Sequence, residues 1–497
     1  MNQSGASRLM KQKNIAINAI LNAVKSSLPT ILSLISYPYI LRTLGVASLG
    51  KVCFVTSIVG YFSQIAMLGV PTYGVREGAK FRDDKVSLSK FVSQVFTINI
   101  ISTIVSYILL CALVCVFTQL HNYILLFVII SIGVVSQTLA LDWVNVIYED
   151  FSYITLRSIV IYAIQILLIF LLIKSENDYY TYAALTVLSS VVICITNVFY
   201  CRRYCQVHLT HLNLTKSHLR PLFVLFANTV AISIYVSFDN IMIGAIKGDE
   251  SVGLYAASTK VYSVIKGILI AVYSVAIPRL SAFFGSRDFV EYKRLFTNLW
   301  CIVSLLLLPA GIGLFCLAEE VNLIVGGKQY LAATPSLRIL SLALIVAIFG
   351  GLMTACLNVT ICKESINLKA TVISAVLNFV LNIVCIPLFA QNGAALTTLI
   401  AEIFVFMYCI FKTECRNRYF DGKTIITNIA QSVCGIVVMV AYILVVKHYI
   451  TGLVLRSVMS VGGSVLIYGI VLILVKNYYA RGLLQTAKNI SFHTFRS

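Results

Sequence analysis

The chain is 497 residues long, and its composition excludes an ordinary soluble protein. Hydrophobic residues make up 59% of it and charged residues only 11%, against about 25% charged residues in typical globular chains. An excess of 38 Lys and Arg over 19 Asp and Glu gives a net charge of +19, and the mean hydropathy is +0.92. This composition indicates a polytopic membrane protein, in which the length of the chain reflects the number of membrane spans.

Apolar segments of helical length, each of roughly 18–26 residues, follow one another along the chain. Their continuous apolar runs favour helices, since barrel strands would alternate in polarity. The sequence therefore predicts an all-α polytopic membrane protein with about 14 transmembrane helices. The predicted limits are 15–40, 47–71, 91–118, 122–146, 155–173, 180–200, 221–246, 252–278, 294–318, 333–358, 366–389, 393–412, 424–447 and 453–475.

The basic residues predict the orientation in the membrane. With the N-terminus placed in the cytoplasm, the inside segments hold 27 Lys and Arg, the outside loops hold 7 and the spans hold 4. Cytoplasmic loops collect Lys and Arg, so we expect both termini to be cytoplasmic and the number of spans to be even. The same count attributes the positive charge to membrane topology, and nucleic acid is not expected as a partner.

Neither a metal site nor a catalytic domain is expected. Most of the 14 cysteines fall in spans or at their cytoplasmic ends, and the spacings Cys111–Cys115 and Cys201–Cys205 match no zinc pattern. Outside loops reach at most about a dozen residues, which leaves no room for an external catalytic domain. We therefore expect no enzyme activity and no cofactor.

A faint internal repeat divides the chain. Ser-Leu-Gly at 48–50 opens the second span and Ser-Val-Gly at 251–253 opens the eighth, and the span before each carries an asparagine, Asn22 or Asn228. Paired repeats suit alternating access. The sequence predicts two pseudo-symmetric six-helix bundles and two additional spans with a cytoplasmic tail, over residues 1–210, 211–415 and 416–497.

One narrow polar stripe follows the first predicted span. A lysine at the centre of a span costs roughly 2.5–3.5 kcal/mol on insertion, so Lys25 is expected to face a cavity or another helix. Asn22 lies beside it on the same stripe. At about 100° per residue the stripe contains Asn18, Asn22, Lys25, Ser26, Pro29, Ser33 and Ser36.

The eighth predicted span repeats this pattern. We expect Lys266 and Tyr262 to line a cavity, where the tyrosine rings either contact sugar or serve as packing. Lys260 lies about 120° away from this stripe. The stripe contains Tyr255, Thr259, Tyr262, Lys266 and Tyr273.

Charged residues within the spans give a slight surplus of cations, which favours an anionic ligand such as phosphate. Lys260 is expected to line the cavity, to reach the outer surface, or to pair with Asp239 of the seventh span. Glu402 is expected to be a counter-ion or a carboxylate that couples transport to an ion.

Two further charges are expected to have local roles. Arg338 starts its span near the outer surface, where snorkelling is favoured. Asp142, at the inner end of the fourth span, is expected to be solvated or paired with Arg157 or a loop lysine.

Several stretches together resemble bacterial polysaccharide repeat-unit flippases of the Wzx type, which belong to the multidrug/oligosaccharidyl-lipid/polysaccharide exporter superfamily. The resemblance covers most of residues 10–415, with loose motifs whose order and spacing agree. The stretches that carry it are Pro38–Gly45, Leu68–Glu77, Asp142–Tyr153, Phe238–Gly244, Val252–Tyr255, Pro278–Ser281 and Asn392–Ala395.

This resemblance implies two bundles around a central cavity in a bacterial plasma (inner) membrane. It implies as substrate an oligosaccharide on undecaprenyl diphosphate, moved to the outer leaflet for O-antigen or capsule synthesis. Membrane lipid and other polysaccharide assembly proteins are the expected partners, with H⁺ or Na⁺ as coupling ions. By this resemblance Arg42, Asp239 and Lys260 occupy family positions, whereas Lys25 and Lys266 rest on the stripes.

Three alternatives remain at this point. A cation-coupled exporter of small organic compounds has similar spans, but acidic and aromatic residues should dominate its cavity. A membrane polymerase or ligase needs an external catalytic loop. A scaffold without transport would not explain lysines in the middle of spans.

Overall fold

The computed structural model describes residues 15–210, 216–413 and 416–482, with side chains described from residue 35 onward except at 216–217, 228, 231–237 and 416–417. Within these ranges the chain is helical and contains no strand. It divides into two compact units, 1–241 and 242–497. The all-α architecture is the predicted one, and the domain limits near 210 and 415 remain a prediction.

The first unit is built from long apolar helices joined by short ones. Their limits are α1 (Ile15–Met67), α2 (Val70–Gly78), α3 (Lys85–Val116), α4 (Ile124–Leu139), α5 (Asp142–Ile147), α6 (Phe151–Leu172), α7 (Tyr179–Cys201) and α8 (Lys216–Lys247), whose last residues enter the second unit.

The second unit has the same construction. Its helices are α9 (Asp249–Ser274), α10 (Ile277–Gly285), α11 (Phe289–Cys316), α12 (Ala318–Val325), α13 (Thr334–Gly351), α14 (Glu364–Lys412), α15 (Arg416–Tyr419), α16 (Gly422–Tyr449) and α17 (Leu453–Leu474). A seven-residue π-helix, Leu352–Asn358, follows α13.

Eleven helices among the described residues are long and apolar enough to cross a membrane. This confirms a multi-pass membrane protein. Two helical segments, α1 with 53 residues and α14 with 49, each contain two predicted spans. The predicted count of 14 remains a prediction.

Both of these segments are broken where the sequence separates two spans. In α1 the break is at Gly45, with φ 72° and ψ 178°. In α14 it is at Ala390, with φ 49° and ψ −130°. Beyond this second break, Gly393 approaches the α14 backbone so closely that a Cβ there would collide with the carbonyl oxygen of Cys385. Gly393 therefore permits the sharp turn between the two halves of α14.

The two units share an order of short, irregular elements. A short nine-residue helix with proline in its first turn follows the second predicted span as α2 and the eighth as α10. A six-residue 3₁₀ helix precedes both α4 and α13, at Thr118–Tyr123 and Lys328–Ala333. The two units thus share a sequence of irregular elements as well as long helices.

Buried aromatic and aliphatic side chains fill one end of the first unit, where α2, α3, α5 and α7 meet. Phe91 of α3 and Trp143 of α5 meet edge to face, with ring centroids 6.2 Å apart, and Leu88 and Val144 are fully buried beside them. On α7, the buried Asn197 accepts a 2.5 Å hydrogen bond from the side-chain amide of Asn145. This core positions the ends of α2, α3, α5 and α7.

In the second unit, α17 packs against α16, which packs against α11. Met439, Ile443 and Tyr468 are buried in that contact with Leu305. Helix α16 starts at an N-cap, Asp421, whose carboxylate accepts hydrogen bonds from the Thr424 hydroxyl at 2.6 Å and from the backbone N–H of Lys423 at 3.2 Å. These bonds hold the pKa of Asp421 below its ordinary value.

Candidate functional site

The second unit contains an ion pair between two of its spans. Lys266 Nζ on α9 lies 2.9 Å from Glu402 Oε1 on the second half of α14. The same Nζ donates a 2.9 Å hydrogen bond to the Tyr262 hydroxyl, which in turn donates to Glu402 Oε1 at 3.4 Å. The three side chains therefore form a closed hydrogen-bonded triad.

Burial makes this triad electrostatically strong. The Glu402 side chain is only 8% exposed and that of Lys266 is 28% exposed. Lys266 Nζ also lies 5.1 Å from the centroid of the Tyr262 ring, within the range of a cation–π contact. A carboxylate as buried as that of Glu402 is costly to keep charged unless a cation pairs with it. Lys266 is less buried, so its ammonium remains partly accessible.

One further residue of the predicted stripe contacts α14. Tyr255 shares a 3.3 Å hydrogen bond with Thr398, one turn before Glu402 on α14. The Thr259 hydroxyl instead donates a hydrogen bond within α9, to the backbone carbonyl of Tyr255. The stripe of α9 thus contacts α14 at Tyr255, Tyr262 and Lys266.

The three stripe tyrosines are buried in this structure. Tyr255, Tyr262 and Tyr273 are 3%, 8% and 5% exposed. Of the two roles left open by the sequence, packing is the one this conformation displays. Likewise, Glu402 lies where a counter-ion of Lys266 would lie, and its coupling role remains a prediction.

The remaining predicted residues are distributed over both units. In the second unit, Lys260 is half-buried on a different face of α9 from Lys266. In the first unit, Asp239 is 5% exposed and within electrostatic range of Tyr61, and Arg42 is exposed on α1. Their predicted roles remain predictions.

The side chains of Asn22 and Lys25 lie outside the described residues, although their helix is described. Their assignment to a cavity therefore rests on the sequence stripe alone.

The predicted pairing of Asp142 is confirmed. Arg157 Nη2 lies 3.1 Å from Asp142 Oδ1, with the Arg157 side chain 5% exposed and that of Asp142 38% exposed. In the part of the chain that the structure describes, no group of three or more His, Cys, Asp or Glu side chains could hold a metal ion.

Sequence reasoning missed one charged cluster. Glu320 of α12 is 2% exposed and is paired with Lys447 of α16 and Arg456 of α17. Two adjacent glutamates, Glu319 and Glu320, between apolar residues were the available signal. The partners of Glu320 are distant in sequence, and Lys447 lies 127 residues further along the chain.

A family profile described as "Polysaccharide biosynthesis protein" matches residues 15–284, which is more than half of the chain. The chain belongs to this family. A second profile, described as MatE, matches residues 225–385.

Two curated relatives of this polysaccharide biosynthesis protein are described as putative O-antigen transporters. The protein from Escherichia coli K12 is 24% identical over 268 residues, which cover 53% of this chain and 64% of the relative. The protein from Shigella dysenteriae is 19% identical over 401 residues, which cover 80% of this chain and 99% of the relative.

Among solved structures, the lipid II flippase MurJ in an inward closed conformation has a TM-score of 0.74 to this chain at 16% sequence identity. The superposition covers 94% of this chain and all of the flippase, 100%. The polysaccharide biosynthesis protein therefore has the fold of that flippase along nearly its whole length.

Proposed function

We propose that this protein flips oligosaccharide repeat units linked to undecaprenyl diphosphate from the cytoplasmic to the outer leaflet of a bacterial plasma membrane. Its product would serve O-antigen or capsule synthesis, and both termini would be cytoplasmic. The observation that carries the proposal is the fold shared with a lipid II flippase over 94% of the chain. Family membership and the O-antigen transporter relatives support the same substrate class.

The substrate poses a problem that the charged residues in the spans can solve. A sugar head with a diphosphate cannot cross hydrocarbon unaided, because its polar groups would lose their hydration. Cations inside the spans would replace water around the diphosphate while the polyprenyl tail stays in lipid. Lys25, Arg42, Lys260 and Lys266 are the proposed cations.

Lys266 is the best defined of these cations. Its ammonium is held by Glu402 and Tyr262, and it keeps 28% of its side chain exposed. An incoming diphosphate would compete with Glu402 for this ammonium and share the Tyr262 hydroxyl. Glu402 would thus keep Lys266 charged and in place until the substrate arrives.

Other polar residues complete the proposed path. Asn22 would add an amide to the substrate contacts on the stripe of Lys25. Asp239 and Glu402 would balance the cations and couple transport to H⁺ or Na⁺. Movement of the repeated halves would then expose the head to the outer surface by alternating access.

A second candidate is export of small organic compounds. The MatE profile over residues 225–385 favours it. An exporter of that kind would not change the pool of lipid-linked oligosaccharide, so the two functions differ in a measurable quantity.

The test is deletion of the gene, with measurement of lipid-extractable diphosphate-linked oligosaccharide and of surface polysaccharide. We expect accumulated lipid-linked repeat units and a loss of surface polymer. Unchanged lipid-linked pools would contradict flipping, and altered sensitivity to small organic compounds would then support the exporter.

Complementation tests the proposed residues. Lys25→Gln and Lys266→Gln each remove one charge and should fail to restore surface polymer while inserting in the membrane in normal amount. Lys328→Gln is the matched control, since Lys328 is exposed in a loop helix and should be dispensable. Normal polymer in cells carrying Lys266→Gln would remove that lysine from the path.

A further inference from the structure

A cationic cluster lies at one end of the second unit, where α11 ends, α12 follows, α13 begins and the loop from α16 to α17 turns. Lys447 Nζ is 2.9 Å from the buried carboxylate of Glu320, and Arg456 Nε is 3.4 Å from the same carboxylate. The charge count of the sequence assigns this end to the outer surface. The cluster is distinct from the triad of Lys266.

The cluster extends to Arg338 of α13. The Arg338 guanidinium lies over the ring of Phe315, 5.9 Å from its centroid. Cys316, which follows Phe315 in the chain, lies within electrostatic range of Arg338, Lys447 and Glu320. Arg338 therefore lies near the two cations, Lys447 and Arg456, that pair with the buried carboxylate of Glu320.

The donors in this cluster exceed the acceptors. Lys447 has two acceptors, since its Nζ contacts Glu320 and also donates a 2.7 Å hydrogen bond to the carbonyl of Cys316. The Nε atom of Arg338 is buried and has no hydrogen-bond partner among the described residues, whereas the buried Nε of Arg456 has only its 3.4 Å ion-pair contact with Glu320. Glu319, the neighbouring carboxylate, is exposed and forms no ion pair with a described residue.

An unpaired buried guanidinium donor such as Arg338 Nε costs free energy unless an acceptor binds it. Arginine presents a planar fork that matches phosphate oxygens, and lysine adds a point charge. The side chains of Lys447 and Arg456 are 23% and 21% exposed, so the cluster is open to its surroundings. At the end of a span, those surroundings are the headgroup layer of the bilayer.

We propose that Arg338, Lys447 and Arg456 form a phosphate-binding site in the outer leaflet, separate from the proposed transport path. Its ligand is the phosphate of a membrane lipid, either a phospholipid headgroup or the diphosphate of a polyprenyl carrier. Glu320 holds two of the cations in position and limits the affinity, because it competes with the phosphate for them.

The experiment uses the purified full chain in a neutral detergent and measures bound lipid by native mass spectrometry. Phosphatidylglycerol is titrated against phosphatidylcholine as a neutral comparison, and inorganic pyrophosphate is tested in a second arm by competition. We expect selective binding of phosphatidylglycerol. Arg338→Gln should weaken it about tenfold, the size expected for one charge-assisted hydrogen bond.

Arg338→Gln leaves both ion pairs of Glu320 intact, so the variant should fold normally. Lys328→Gln removes a cation from the adjacent 3₁₀ helix and should leave the affinity unchanged. Glu320→Gln has the opposite expectation, since the loss of the competing carboxylate should tighten binding several-fold.

Competition by pyrophosphate at low concentration would assign the site to a carrier diphosphate, and its absence would assign it to a phospholipid headgroup. Equal affinity of the parent chain and Arg338→Gln would overturn the proposal. Because this assay measures binding without transport, its outcome is independent of whether the protein flips oligosaccharide.

Discussion

The ion pair of Lys266 and Glu402 gives the sharpest test of the geometry. At 2.9 Å and an effective dielectric constant of 20, two unit charges attract by about 6 kcal/mol. Desolvation of Glu402, which is 8% exposed, offsets much of this, and solvent at the 28% exposed Lys266 screens part of the rest. We therefore expect a coupling energy of about 2 kcal/mol between the two residues.

The assay is a double-mutant cycle on reversible unfolding in mixed micelles. Lys266→Gln and Glu402→Gln should each lower the free energy of unfolding by about 3 kcal/mol, because each leaves a charge without its partner. The double variant should lose about 4 kcal/mol, less than the sum of the two. As a control, Lys369→Gln, at an exposed position of α14, should be additive with Glu402→Gln. Additive losses for Lys266→Gln and Glu402→Gln, within about 0.5 kcal/mol, would refute the pair.

Three further predictions concern stability measured by thermal unfolding. Asp142→Asn should cost about 2–3 kcal/mol, because it leaves the buried Arg157 guanidinium without its carboxylate partner. Arg157→Gln should cost less, because the Asp142 carboxylate that it leaves unpaired is partly hydrated. Equal losses for the two variants would contradict the pairing. Gly393→Ala should destabilise the chain because there is no space for the added Cβ. The control, Gly133→Ala, has nothing within 4 Å of the added Cβ and should be neutral or stabilising by up to about 1 kcal/mol. Identical effects of the two substitutions would contradict the turn geometry at Gly393. Asp421→Ala should cost about 1 kcal/mol at neutral pH. Since the pKa of Asp421 is lowered in the folded chain, this contribution exists above the ordinary carboxyl pKa of about 4 and disappears as the pH falls through the lowered value, where variant and parent should converge.

The fold was largely accessible from the sequence, because hydropathy and length decide where a chain crosses lipid. The breaks in α1 at Gly45 and in α14 at Ala390 both fall in the short gaps between predicted spans. The pairing of Asp142 with Arg157 was equally accessible, since only a tight turn and 15 residues separate them.

The candidate site could be predicted from the sequence only in part. Helical periodicity placed Tyr262 and Lys266 on one face, but it could not select the facing helix, and Glu402 lies 136 residues away. The cluster around Glu320 was not foreseen for a related reason. Its cations lie at span ends, where long side chains ordinarily reach water, so nothing in the sequence indicated that they pair with Glu320. Only the position of the short helix α12 brings the carboxylate to them.

Direct observation of lipid movement would test the central claim. The purified chain is reconstituted into liposomes that contain an undecaprenyl-diphosphate-linked oligosaccharide in both leaflets, and an impermeant glycan-modifying enzyme is added outside. The account predicts that the parent chain makes the inner-leaflet pool accessible to the enzyme, and that Lys266→Gln leaves it protected as in protein-free liposomes. An inner pool that stays protected with the folded parent chain, under every imposed H⁺ and Na⁺ gradient, would contradict the account.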